Sequence, residues 1–506
     1  MEINLTFGSW CPDMPDLNNP GVTLAHNVTA NLGTSQGSVT YGPLKRASLY
    51  SATSMASRPL GTAVGSDKLG ASKVWGGCAS ALYKIEPETR QWQNISRAGG
   101  YSTAEGEVWA TTEYGNAMFF TNFSDELQYV NADIDTQFAN ATTLVRARHI
   151  ATVKDNVIVG NTYDALDGEM PFRVRWSGLG LPLSWDFSQS TGADFQDVYG
   201  FGAVQAIVGG EAGWLLMEEG VVKMTPVPYP YWFAFDPVPN TKGCSVPQSV
   251  ITVEGVTYYI GNDGFYRLDG DRGTTPIGIG KVDKYFLETV DVGKYMLMSV
   301  AEDPRSKHIY WSYASKDSNS TEPDKMLIFN YVTGDWTTAD ATTDMIFRST
   351  SLPWTIGMFD IYGSIDAIPA SPDSPIWAGG NAMLWGMSNT GALYVFGGEN
   401  MPAVIETAEQ LLIDRLKAAD EKARGDRSTI NRIRVLFDGS EGSSSVRIGQ
   451  RGSSNAEVTW TEPATSHPRT QWAYVRATDR FQRFRINLTD GWTNITAMQI
   501  DAKPAG

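Results

Sequence analysis

The sequence predicts a mainly β protein: a β-propeller of six to seven blades, with an N-terminal extended arm and a small antiparallel β domain at the C-terminus. Three observations predict it. Short dipeptides recur inside patches of alternating apolar and polar residues: Leu82-Tyr83, Gln128-Tyr129, Arg175-Trp176, Val222-Lys223, Phe265-Tyr266, Ile328-Phe329 and Leu393-Tyr394. The first five follow at roughly 45 residues, the length of one four-stranded blade, and the last two gaps stretch to roughly 65 by insertion. Glycine, at 50 of 506 residues, supplies the closely spaced turns such strands need. The charge is also uneven. From Met401 onward there are 15 Lys/Arg against 13 Asp/Glu, while the remainder carries 25 against 43, so the C-terminal part is a separate electrostatic unit.

Residues 1–60 are rich in Asn, Pro, Gly, Ser and Thr, with turn sequences at Trp10 to Pro15 and Asn18 to Gly21. They read as an extended arm that crosses other elements or a neighbouring subunit. Residues 61–402 read as the propeller. Ala81 to Ile85 and then Trp92 form two strands of one blade, and Trp109 with Ala117 to Phe120 begin the next. Val153 to Gly160 is a hairpin, followed by the alternating Phe172 to Ser177. In Val256 to Leu268 two aromatic strands flank an Asn262-Asp263-Gly264 turn. His308 to Tyr313, Met326 to Tyr331 and Trp336 repeat that scheme.

Residues 403–428 read as a helix or long connector. Ile405, Ala408, Leu412 and Leu416 fall near one helical face, although Val404 to Thr407 equally suits a strand. In residues 429–506, alternating segments at 430–437, 445–449, 458–460, 472–476 and 481–488 predict a small antiparallel sandwich. Arg432, Arg434, Arg476, Arg483 and Arg485 take alternate positions there and predict one basic face.

The composition bounds the function. A formal net charge of −16 argues against tight binding to a DNA backbone, yet suits a surface along which DNA slides. No run of about 18 apolar residues is present, so no transmembrane helix is expected, and Met1 to Leu5 does not open a secretory signal. Cys11, Cys78 and Cys244 are odd in number, far apart and read as free thiols. The sequons at Asn27, Asn94 and Asn487 then read as Thr- or Ser-bearing strand edges.

No motif carries recognisable chemistry. His26, His149, His308 and His467 lie outside ligand spacing of one another, so no metal and no cofactor is expected. Gly33-Thr34-Ser35-Gln36-Gly37 matches G-x-S-x-G but lacks the preceding strand and following helix of a nucleophile elbow. Asp133-Ile134-Asp135 and Asp269-Gly270-Asp271 lack the spacing of a calcium loop. A sugar hydrolase would need two opposed carboxylates, for which Asp194, Asp197, Glu211, Glu218 and Glu219 are available. The expectation is a protein that is not an enzyme. The proline-punctuated stretch 225–239 cannot be a central strand, and its Tyr229, Tyr231, Trp232, Phe233 and Phe235 must either cover the propeller's own edge or anchor a subunit contact.

Three stretches resemble a known family. Gly243 to Val290 contains Gly243-Cys244-Ser245-Val246-Pro247-Gln248-Ser249-Val250, Tyr258-Tyr259-Ile260-Gly261-Asn262-Asp263-Gly264-Phe265-Tyr266 and Ile277-Gly278-Ile279-Gly280-Lys281-Val282-Asp283. Arg173 to Ser177 with Pro182 to Trp185 is a second stretch, and Asp303 to Trp311 with Leu327 to Tyr331 and Trp336 a third. Together they resemble the tail nozzle or tail-hub proteins of short-tailed bacteriophages, also called packaged-DNA stabilisation proteins. The resemblance implies a structural virion protein, made in the host cytoplasm and built into the phage tail as a homohexameric ring below the portal and its adaptor ring. Such a ring retains packaged double-stranded DNA, passes it without sequence-specific binding during DNA ejection, and docks tail fibres or spikes and a plug or needle, with no membrane insertion of its own. The alternatives are a carbohydrate-binding or carbohydrate-hydrolysing propeller and a phage receptor-binding protein.

Overall fold

Each of the seven recurring dipeptides lies on the third strand of a four-stranded antiparallel unit. Those strands are Leu82–Glu86, Gln128–Asn131, Gly168–Trp176, Val221–Pro226, Gly264–Leu268, Lys325–Asn330 and Leu393–Asn400. A third strand has hydrogen-bonded neighbours on both sides and a packed blade against each face. Successive side chains point to opposite faces, so both members of a dipeptide meet a neighbouring blade. In the computed structural model the units are blade 1 (59–94), blade 2 (110–140), blade 3 (146–197), blade 4 (204–237), blade 5 (251–276), blade 6 (299–340) and blade 7 (345–400 with Lys45–Leu49). Six are separate sheets, and blade 6 is the leading part of a ten-stranded sheet. The structure describes residues 1–506 except 34–36, 319–320, 352–353, 355–356, 358, 361–362, 365–366, 369–376, 378, 420–424, 440–441, 490 and 506.

Each adjacent pair of blades shares a buried core, and the seven cores close a ring. Trp75 and Leu82 meet Phe120 between blades 1 and 2, and Phe119 meets Val157 between blades 2 and 3. Trp176 meets Leu215 between blades 3 and 4, and Leu216 meets Tyr259 between blades 4 and 5. Between blades 5 and 6 the rings of Phe265 and Trp311 are 5.1 Å apart, and those of Phe265 and Trp336 4.9 Å. Ile328 meets Leu384 between blades 6 and 7, and Trp385 meets Val74 across the closure from blade 7 to blade 1. The strand Lys45–Leu49, which precedes blade 1 in sequence, is the outermost strand of blade 7, so the chain's two ends of the ring are sewn into one sheet.

The first sixty residues are the crossing arm the sequence predicts, and much of it is paired strand. They cross other elements as strands: Glu2–Thr6 pairs with Asn494–Ala505, Val28–Leu32 with Val39–Pro43, and Lys45–Leu49 belongs to the propeller. Val22–His26 lies parallel to Trp336–Asp340 of blade 6 and antiparallel to Ala403–Thr407. It thereby joins blade 6 to Phe481–Thr489 and Ser443–Arg451 in the ten-stranded sheet. A second, seven-stranded sheet contains Arg427–Asp438 and Asn494–Ala505 with N-terminal strands beside them. The two sheets pack through Ile433, Val435 and Ile500 against Ile448, Phe484 and Ile486. The C-terminal domain is thus the expected antiparallel sandwich, but it is completed by residues from the first forty-three.

Residues 403–428 also resolve differently from a single helix or connector. Ala403–Thr407 is a strand, because its Ile405 belongs to the sandwich core. The helix is confined to Leu412–Ala419 and buries Leu412, Ile413 and Leu416.

Candidate functional surfaces

A cavity of about 620 Å³ opens where the inner strands of blades 2 to 4 converge with residues preceding blades 5 and 6. Arg148, on the inner strand of blade 3, donates to Glu107 at 3.1 Å and to Glu169 at 2.7 Å, with its guanidinium 3.7 Å from the Phe123 ring centre. Glu218 accepts from the Gln205 amide and the Ala203 backbone N–H, each at 3.1 Å. Burial, and then the Arg148 charge, push the His149 imidazole down to about 4, so it stays neutral at neutral pH. Every carboxylate of this lining already has a partner, which suits a fixed polar wall.

The other carboxylates do not join them. Asp197 is on the outermost strand of blade 3, held by Arg173 at 2.7 Å and thereby kept below the usual carboxylate range. Asp194 begins that same outer strand, and Glu211 sits in the turn before Gly213–Met217. The Glu219 backbone N–H is bonded to Phe201 O. Among the described residues no group of three or more His, Cys, Asp or Glu is placed to hold a metal ion, and no helix is long and apolar enough to cross a membrane. Cys11, Cys78 and Cys244 are free and buried. His308 is buried in blade 6, with Nε2 2.8 Å from Ala30 O. Of the G-x-S-x-G stretch, Thr34 to Gln36 lie outside the described residues.

The aromatic stretch divides. Phe233 and Phe235 lie on the outer strand Phe233–Pro237 of blade 4 and pack on Trp176, with ring centres 5.1 and 6.2 Å away. Trp232 is half-buried against blade 3 at Gly192, where a Cβ would come within 2.8 Å of the indole. Only Tyr229 and Tyr231 face outward. Three of the five therefore cover the propeller's own edge.

The five arginines do not form one face. Arg432 and Arg434 project from the seven-stranded sheet and cover Trp472, with guanidinium carbons 4.3 and 5.0 Å from the ring centre. Arg432 also pairs with Asp501 at 3.0 Å. Arg483 and Arg485 project from the ten-stranded sheet. Arg483 pairs with Asp16 at 2.6 Å, Glu409 at 3.1 Å and Glu406 at 3.3 Å, while Arg485 takes the other Glu406 oxygen at 2.6 Å. Arg451 also reaches Glu409, at 2.5 Å. Alternation tells which side of its own sheet a residue faces, not which sheet it belongs to. Of the five, only Arg476 is exposed. Sequence reasoning missed Glu406 and Glu409; two acids three residues apart at the end of an otherwise apolar strand and just beyond it were the available signal.

No protein-family model matches the chain, and no curated protein matches it. Solved structures do, as propellers. A structure of Ycf48 bound to D1 peptide is 9% identical, with a TM-score of 0.37 over 70% of this chain and 97% of that one. BamB from Moraxella catarrhalis is 10% identical, with a TM-score of 0.35 over 73% and 94%. The extracellular domain of the hybrid two component system BT4673 from B. thetaiotaomicron is 10% identical, with a TM-score of 0.41 over 91% and 62%. Likenesses this low say nothing of function; the propeller itself is established by strand pairing and by the seven shared cores.

The stretches of family resemblance have their own geometry. Phe265 of the first packs directly on Trp311 and Trp336 of the third, with ring centres 5.1 and 4.9 Å apart, and Phe286 and Phe329 lie in the same core. In the second, the Arg175 guanidinium donates to Trp185 O at 2.8 Å. All three are wall residues.

Proposed function

We infer that this chain is a structural subunit of a short-tailed phage virion, the tail nozzle or hub. Several copies, six by the family likeness, surround a conduit that retains packaged DNA and releases it at infection. The observation that carries the reading is where the resemblance lies. Its first and third stretches meet in one aromatic core between blades 5 and 6. A likeness held in wall residues is what a family selected for rigidity leaves behind, whereas an enzyme family leaves it in a cleft. The acid excess of residues 1–400 agrees with a lumen that repels phosphate. The ten-stranded sheet that fuses propeller to sandwich suits a wall under internal pressure.

The test is direct. Mass spectrometry of purified virions finds this chain at several copies per particle, and cryo-electron microscopy finds it in a ring at the distal tail. Particles lacking it package DNA but lose it. A chain absent from virions, or one that turns over a glycan, overturns the reading.

A further inference from the structure

Exposed apolar side chains gather on blade 3. Of the 21 large apolar side chains exposed among the described residues, six belong to blade 3 or the turn leading into it, and Tyr199 directly follows it. Leu166 at the tip of its hairpin is 93% exposed, and Phe187 is 57% exposed. Both line a cavity of about 340 Å³ together with Asp164, Asp167 and Asp186. Leu179, Leu181 and Leu183, each about half exposed, lie in the loop before the outer strand. Blade 3 exposes Asp155, Asp167, Glu169, Asp186 and Asp194 against one exposed basic residue, Lys154, while Arg173 and Arg175 are buried. An apolar surface whose exposed acids outnumber its one exposed lysine, Lys154, is a surface for a basic, aromatic-bearing partner.

The other end of the molecule has that chemistry. In both sheets of the sandwich, the strands farthest from the propeller come from residues 459–479: Thr459–Trp460 and Ala464–Thr465 in one, Trp472–Ala473 and Ala477–Asp479 in the other. Residues 463–480 contain three arginines and a single acid. Arg469, Arg476 and Arg480 are exposed, and Tyr474 is 65% exposed between them. The sandwich is attached at blade 6 through Val22–His26 and at blade 7 through the Asn400 amide bonded to Trp492 O at 2.8 Å. In a ring of seven, blade 3 is three steps from both, so the two surfaces lie across the ring from each other.

We propose that the blade 3 end of one copy receives the Arg469–Arg480 edge of the next copy. Because the two surfaces are different and opposed, the contact is heterologous, and its repetition builds a ring if the rotation closes. The inference rests on the proposed assembly of several copies and names the surfaces that make it.

The experiment uses the full chain with two double variants at exposed positions. One, Leu166→Lys with Asp186→Lys, changes the blade 3 end. The other, Arg469→Glu with Arg476→Glu, changes the sandwich end. Sedimentation velocity and native mass spectrometry at low salt are expected to show oligomers for the unaltered chain and monomers for each variant alone. An equimolar mixture of the two variants has one intact end on each kind of chain, and is expected to give a heterodimer and nothing larger. The heterodimer also shows that both variants are folded. An unaltered chain that stays monomeric, a single variant that assembles, or a mixture that yields no dimer overturns the contact. A ring joined through other surfaces leaves the conduit reading standing and removes this one; head-to-tail assembly by a chain absent from virions does the reverse.

Discussion

Asp283 shows how single residues set the wall between blades 5 and 6. Its carboxylate accepts the Phe265 N–H at 3.0 Å and is seated where Gly264 and Gly278 have no side chain. A Cβ on Gly278 would lie 1.9 Å from Asp283 Oδ1, and Gly264 has φ +144°, which side-chain-bearing residues rarely adopt. Gly278→Ala is therefore expected to destabilise the fold by about 2–4 kcal/mol, read as a lower urea midpoint at unchanged slope. Burial, assisted by the nearby Asp13 and Asp263, raises the Asp283 carboxyl to about 6. A folded value above the unfolded one means that the fold binds this proton more tightly. Its contribution favours the fold at acid pH and is lost as pH rises from about 4 to about 6. A displacement of that size corresponds to about 3 kcal/mol. Asp283→Asn keeps the acceptor and removes the charge. It is expected to be more stable than the unaltered chain at pH 7, with the gap closing towards pH 4. A gap of constant size across that range would show that the charge is not what matters.

At the scale of strands and sheets, the ten-stranded sheet depends on the ion-paired cluster on its outer side. The Glu409 side chain is only 2% exposed and that of Glu406 7%, and Arg483 contacts both as well as Asp16 of the N-terminal segment. Removing one member of a buried group leaves charge uncompensated, which is costlier than never having had the group. Arg483→Met is expected to lose about 3 kcal/mol and to increase hydrogen exchange in Val22–His26, next to the tethered Asp16. Unchanged exchange there would mean that the strand is held by backbone pairing alone. This cluster also marks how far the sequence could be read. The seven dipeptides were legible because a third blade strand is covered on both faces, so large residues recur there at adjacent positions, both apolar in four of the dipeptides and one apolar in Gln128-Tyr129, Arg175-Trp176 and Val222-Lys223. Blade-to-blade contacts are also close in sequence. The strands of residues 1–43 were not legible, since their partners lie hundreds of residues away; Glu2 faces Asp501. Short alternation in an Asn- and Thr-rich stretch shows no partner of its own. The final strand Asn494–Ala505 escaped for a related reason, because Pro504 and its polar outer residues mask a strand buried only on the sandwich side. Of the candidate surfaces, the aromatic stretch was legible as aromatic cover, but its division into Phe233 and Phe235 against Trp176 and an outward Tyr229 and Tyr231 depends on a neighbouring blade.

For the whole molecule, the question is whether propeller and sandwich are one cooperative unit. Two kinds of closure have to be distinguished. Lys45–Leu49 closes the ring within blade 7, while Val22–His26 and Val28–Leu32 tie the ring to the sandwich. The second tie reaches into blade 6: His308 and Asn330 both bond Ala30 O, at 2.8 and 2.9 Å, and the Thr337 hydroxyl donates to Val28 O at 2.7 Å. Deleting residues 1–43 removes the tie and leaves these buried polar groups unpaired, at about 1–3 kcal/mol each, but keeps the ring closed. Deleting residues 1–50 also removes the last strand of blade 7 and exposes its edge. The full chain is expected to melt calorimetrically in a single transition, because no boundary between the two parts is free of shared sheet. The shorter deletion is expected to give two transitions, with the ring's own transition lowered by several degrees. The longer deletion is expected to lower the ring's transition further and to increase exchange in blades 7 and 1, where Trp385 packs on Val74. A single undivided transition in the shorter deletion would show that the sandwich is held to the propeller without its N-terminal strands, and the one-piece wall on which the conduit reading depends would need another origin.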